Sequence, residues 1–249
     1  MKKIFVFFII CAVALFTACT PDNPTNPNIP ETPTETPTDT PDDSGQSNDE
    51  KIVAVDLGLS VKWATCNVGA NKPSDYGNYF AWGEVLPKSN YSENTYKWGK
   101  TINGEYGEEY EYTKYCAADG LKVLLKEDDA ATVNWGGKWR MPTNREMEEL
   151  EEKCLFKMVF NDGVKGWEVT GPNGKTIFLP CAGYRVGTSV ETKGTVGHYW
   201  SSTLDLDFII GHYYYANKLV MSDGIQGVGG SYIEYRETGL PIRPVCPKN

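Results

Sequence analysis

The chain opens on an unbroken apolar run, Ile4 to Ala18, set behind Lys2 and Lys3. Those 15 residues fall short of the roughly 20 that a helix needs to cross a bilayer, so 1–18 is expected to be a cleaved export signal. The apolar pattern then vanishes. Thr20 to Glu50 holds seven Pro, eight acidic residues, no Lys or Arg, and one large aliphatic residue, Ile29. Such a segment buries nothing and repels itself, which predicts a disordered stalk over 19–50 with an upper reach of roughly 90 to 100 Å.

From Lys51 onward, short apolar runs alternate with turn residues, and 24 of the 25 Gly fall in 51–249. The runs predict strands at Val53 to Leu57, Ser60 to Ala64, Tyr79 to Ala81, Gly166 to Thr170, Thr176 to Leu179, Tyr199 to Ser202, Tyr213 to Val220 and Ile242 to Val245. Pro172-Asn173-Gly174 has the chemistry of a hairpin turn. One helix is clearly marked. Thr143 is its N-cap and Glu146 completes a capping box, followed by an apolar stripe of Met147, Leu150 and Cys154. A second helix is expected within Leu121 to Thr132. The head is therefore read as α+β, with short antiparallel strands, one or two helices and long loops.

Charge sharpens the division. The whole-chain balance of -9 splits into +2 in the signal, -8 in the stalk, and -3 in the head from 22 basic and 25 acidic residues. A near-neutral head without a Lys/Arg cluster argues against nucleic acid as a partner.

The segment Phe16-Thr17-Ala18-Cys19 resembles the lipobox of bacterial lipoproteins. That resemblance implies an acylated Cys19, attachment to a membrane through N-terminal acyl chains, and a place in the cell envelope, with the outer membrane expected. An ordinary secretory peptide cleaved near Ala18 stands as the alternative.

Inside the head, Val55 to Ala70 begins a series of motifs: Tyr79-Phe80-Ala81-Trp82-Gly83-Glu84, Trp135-Gly136-Gly137-Lys138-Trp139-Arg140-Met141-Pro142-Thr143, Ile177-Phe178-Leu179-Pro180, Tyr199-Trp200-Ser201-Ser202-Thr203, and Ile242-Arg243-Pro244-Val245. In this order they resemble the Fibrobacter succinogenes major paralogous domain found in lipoproteins of gut Bacteroidetes, here covering 51–249. The resemblance implies a C-type lectin-like fold: a helix opened by a Trp-Arg-x-Pro-Thr segment, packed on a twisted antiparallel sheet beneath long loops. It also suggests a disulfide between Cys154 and Cys246, against the equal alternative that Cys66, Cys116, Cys154, Cys181 and Cys246 are small buried hydrophobes.

Catalytic patterns are sparse. His198 and His212 lack metal-ligand spacing, and neither a nucleophile elbow nor a phosphate loop occurs. The pair Asp128-Asp129 lacks the oxygen spacing of a calcium loop and is expected to brace a helix or loop. No cofactor or metal and no enzymatic activity are expected. The densest chemistry is aromatic: Tyr79 to Tyr115 holds ten aromatic residues. Of these Tyr91, Tyr96, Trp98, Tyr106, Tyr110 and Tyr112 are the candidate ligand-binding side chains, suited to stacking on sugar rings or docking a protein chain. The expected function is a membrane-anchored binding module for a glycan or surface protein. A structural or assembly component of a surface fibre or lipoprotein complex is the alternative, and a cell-envelope enzyme acting on glycans or proteins the third.

Overall fold

The computed structural model describes residues 53–104, 107–205, 214–223 and 232–248. The signal, Cys19, the stalk, Tyr106 and His212 lie outside the described residues. All described residues fall within one compact unit, 46–249.

The unit is strand-rich α+β and antiparallel in every strand pairing. β1 (Ala54–Asp56) and β2 (Lys62–Ala64) form a hairpin that takes β13 (Val245–Cys246) as its third strand, in the order β1-β2-β13. β3 (Gly99–Gly104) and β4 (Gly107–Tyr112) pair as a second hairpin. β5 (Leu155–Asn161), β6 (Val164–Thr170) and β7 (Thr176–Pro180) form a meander. Between its last two strands the Gly174 amide bonds back to the Gly171 carbonyl, closing the turn expected at Pro172-Asn173-Gly174. β8 (Tyr184–Val186) and β9 (Ser189–Glu191) make a small hairpin. β10 (Gly197–Leu204), β11 (Tyr215–Met221) and β12 (Ile233–Tyr235) complete the set.

β10 separates two cores. Successive side chains of a strand point to opposite faces, so Tyr199 joins Leu57, Trp63, Leu150, Val169 and Leu219 on one side, while Trp200 joins Phe80, Trp82, Tyr115, Met141 and Ile242 on the other. A third cluster gathers Ala81, Tyr91, Tyr96 and Tyr112. Two arginines are sealed inside. Arg243 reaches the Asn67 side chain and the carbonyls of Ala64 and Phe178 at 2.8–3.0 Å, meeting the need of a buried charge for fixed partners.

The helices differ in how well their ends were foreseen. α2 (Asn144–Lys153) starts at Thr143 with the expected capping box and buries Met147 and Leu150. Arg140 grips Glu146 through two bonds of 2.5 and 2.8 Å. α1 (Ala130–Trp135) begins later than the expected Leu121 to Thr132, with only a 3-10 turn at Lys126–Asp128 before it. The reason is Asp129: in an extended conformation, it accepts from the Thr132 amide at 2.9 Å and the Met141 amide at 2.8 Å, so the helix can start only after it. Asp128 accepts from the Tyr115 hydroxyl at 2.6 Å and from Lys114, so the acidic pair braces two loops. The strands expected at Tyr79 to Ala81 and Ile242 to Val245 shrink to a Phe80–Leu240 bridge and to β13. The suggested Cys154–Cys246 disulfide is corrected: none of the five head cysteines is joined in a disulfide, and four of them are buried.

Candidate functional site

The six aromatic candidates resolve into inward and outward groups. Tyr91, Tyr96 and Tyr112 are buried, at 1%, 4% and 9% exposure, which removes their ring faces from any ligand; this corrects the expectation that they stack on one. Trp98 and Tyr110 are half-buried. The polar tips are committed as well. Tyr91 donates to the Tyr79 carbonyl at 2.6 Å, Tyr96 to the Trp82 carbonyl at 2.7 Å, Trp98 to the Gly83 carbonyl at 2.8 Å and Tyr110 to the Glu93 carbonyl at 3.0 Å. Lys97 and Lys114 also sit over the Trp98 ring, at 4.0 and 4.8 Å. Most of the segment has folded down over its own aromatics.

The cause lies far along the chain. Arg236, at 0% exposure, donates to the Tyr96 hydroxyl at 3.1 Å and to the carbonyls of Tyr115 and Lys114 at 3.2 and 2.9 Å. Its guanidinium faces Tyr112, Trp82 and Tyr96 at 4.3, 5.1 and 5.4 Å. Planar and permanently charged, it is satisfied by ring faces and carbonyl oxygens together.

From Tyr110 the aromatic contacts continue outward, in a row that sequence reasoning missed. Tyr110 meets Tyr112 at 5.3 Å, Tyr112 meets Tyr214 at 5.6 Å, Tyr214 meets Tyr215 at 6.3 Å, and Tyr215 meets Tyr235 at 4.7 Å. Tyr215 and Tyr235 are direct cross-strand partners on β11 and β12, and Tyr235 is 46% exposed. The tripeptide Tyr213-Tyr214-Tyr215 was visible as a strand but carried no sign that its register would set it opposite Tyr235. The hydrogen bond with Tyr235 and then burial push the Tyr215 hydroxyl up to about 12.

Two carboxylates near Tyr215 raise its hydroxyl further. Glu234 pairs with Lys218 at 2.6 Å. Glu237 is 8% exposed, and its Oε2 has no hydrogen-bond partner. Burial, reinforced by Glu93 and Glu234 and opposed by Arg236, lifts this carboxyl to about 7. On β10 itself, His198 is buried edge-on against Tyr184 at 4.9 Å. Burial and then the Lys218 charge hold it down to about 3, so it is a neutral packing residue. Among the described residues no group of His, Cys, Asp and Glu could hold a metal ion, and no helix is long and apolar enough to cross a membrane.

No family model and no solved structure matches the chain. A stretch of 108 residues is 32% identical to the UDP-N-acetylmuramoyl-L-alanyl-D-glutamate--2,6-diaminopimelate ligase of Neisseria meningitidis serogroup A, covering 40% of this chain. The corresponding ligase of serogroup B is 31% identical over the same length. The chain spans only 22% of the length of these curated relatives.

Proposed function

We propose that this chain is a cell-envelope lipoprotein, held on the outer membrane by acyl chains on Cys19, that presents a lectin-like binding module for a glycan or a surface protein. The module is the Fibrobacter succinogenes major paralogous domain, of C-type lectin-like fold, and its support is the ordered run of motifs in 51–249 together with a strand-rich architecture. The observation that carries the binding role is the Tyr215–Tyr235 pair, 4.7 Å apart on adjacent strands with Tyr235 46% exposed. Tyrosine offers a ligand a rigid apolar face and a hydroxyl at little entropic cost.

A binding role is proposed over a catalytic one because Glu237, the most perturbed carboxyl beside this face, has its free oxygen buried out of a substrate's reach. The ligase activity belongs to relatives several times longer than the matched stretch and is not carried over. One observation favours the second reading, an assembly component. On the outer strand β5, Leu155 and Phe160 are 76% and 72% exposed, and Phe160 lines a groove of about 570 Å³ together with Lys157, Val159 and Ile177.

The test is to screen the full chain on a glycan array and against intact outer-membrane protein extracts, with Tyr235→Ala in parallel and Cys19→Ala for the anchor. A ligand lost on Tyr235→Ala, and release of Cys19→Ala from the membrane fraction, are the expected results. A stoichiometric envelope partner whose binding survives Tyr235→Ala would favour the assembly reading instead.

A further inference from the structure

Two of the seven tryptophans differ from the rest. Trp82, Trp98 and Trp200 donate their indole N–H groups to the carbonyls of Ser201, Gly83 and Phe80 at 2.8–2.9 Å. Trp63 and Trp167 are enclosed in the first core, where their indole N–H groups also lack an acceptor but no ligand can reach them. Trp135 and Trp139 are only half-buried, and neither indole N–H meets an acceptor among the described residues.

The local sequence builds this pair deliberately. Trp135 ends α1, and Gly136 and Gly137 follow with φ of +67° and +58°, a left-handed succession that side chains with a Cβ resist. The reversal brings Trp139 back onto the helix end: its amide bonds to the Gly136 carbonyl at 3.2 Å, and the Thr132 hydroxyl donates to its carbonyl at 3.0 Å. The two indoles then meet edge to face, with centroids 5.3 Å apart and planes at 84°. Trp135 rests its inner side on the second core, so the pair is anchored from below.

Several donors around it are unanswered. The Gly137 and Lys138 amides have no acceptor among the described residues, and the exposed Lys138 has no ion pair there. Nothing lies within 4 Å of where a Cβ would stand on either glycine, so the loop backbone is open on that side. The nearby Asn134 amide is already committed to the carbonyls of Val85 and Ala130. A surface of two aromatic rings edged by donors suits a ligand with a flat apolar face and a rim of acceptor oxygens. A pyranose ring has that shape; an apolar protein surface would leave the donors unanswered.

We propose that Trp135 and Trp139 form an aromatic corner for a pyranose ring of an oligosaccharide, which stacks on the face of one indole while the other, at 84° to it, flanks the sugar, and whose hydroxyls accept from the indole N–H groups and the Gly137 and Lys138 amides. The proposal rests on the glycan branch of the function above but uses different residues from the tyrosine face. Its test is NMR titration of the ¹⁵N-labelled full chain with soluble hexasaccharides of glucose, mannose, xylose, N-acetylglucosamine and galacturonic acid. The indole signals of Trp135 and Trp139, assigned through Trp135→Phe and Trp139→Phe, are expected to move saturably with at least one sugar while those of Trp82 and Trp200 stay. Trp139→Ala is expected to weaken that binding roughly tenfold, and Val186→Ala, at an exposed residue of neither aromatic face, to leave it unchanged. Trp139→Phe, which keeps a ring, is expected to retain part of the affinity and serves where alanine unfolds the loop. The proposal is overturned if no hexasaccharide moves the two signals, or if Tyr235→Ala abolishes a sugar's binding and Trp139→Ala does not. The latter result would leave the tyrosine-face reading standing.

Discussion

The Arg236 guanidinium lies 4.3 Å over the ring of Tyr112 and, with its bonds to Tyr96, Tyr115 and Lys114, ties the aromatic segment inward. Replacing Arg236 with Met would keep most of the volume but strand the buried carbonyls of Lys114 and Tyr115. A loss of about 3 kcal/mol or more is expected from urea unfolding. Arg236→Lys is expected to recover little of it, because an ammonium cannot reach three acceptors while lying flat on a ring. A Met variant within about 0.5 kcal/mol of the parent would show that the cluster is held by something else.

Glu237 makes stability fall as pH rises. Its folded pKa of about 7 stands above the ordinary 4.5, so the native chain holds a proton that the unfolded chain has released. The stabilising contribution is complete below about 4.5 and is lost as pH climbs through 7, at up to about 1.4 kcal/mol per pH unit. Glu237→Gln stays neutral throughout. It is therefore expected to gain on the parent between pH 5 and pH 8 when urea midpoints are compared. Equal midpoint differences at the two pH values would exclude this role.

His198 works in the opposite direction. Its folded pKa of about 3 lies below the ordinary 6.5, so the unfolded chain binds a proton the native chain refuses, and stability is lost as pH falls below about 6.5. Between about pH 4.5 and 6.5 the two groups cancel, and the parent is expected to show a near-flat stability profile. His198→Gln is expected to expose the Glu237 slope and Glu237→Gln the His198 slope, with opposite signs. Two flat single-variant profiles would refute the pairing.

Thr143 caps α2 through the Glu146 amide. Thr143→Ala is expected to cost about 1 kcal/mol. Glu146→Ala is expected to cost more, because it also leaves Arg140 without its two-point partner. Thermal unfolding that ranks the two variants the other way would argue against this account.

What could be read from the chain was what neighbours in sequence decide. Thr143 with Glu146, the Pro172-Asn173-Gly174 turn and the bracing Asp129 are all local chemistry, and each stands where it was expected. The β3–β4 hairpin was missed because Gly99 to Tyr112 is too polar to show a buried face; its pairing is secured at Tyr112 by Arg236. Composition alone offers Tyr91, Tyr96 and Tyr112 as ligand contacts, because it reports how many rings there are and not which way they point. That choice is made by an arginine more than 100 positions away. The Tyr215–Tyr235 pair was hidden for the same reason, since cross-strand register is a long-range fact.

The order β1-β2-β13 has a consequence in time. A chain made from its N-terminus holds the β1–β2 hairpin with one edge open until Val245 and Cys246 have been added, some 180 residues later. Pairings across so much sequence form slowly. Until then Trp63, which lies opposite Val245, lacks its cover, and the first core cannot close. The domain is thus built to remain incomplete for nearly the whole of its synthesis and to lock only when its closing strand arrives.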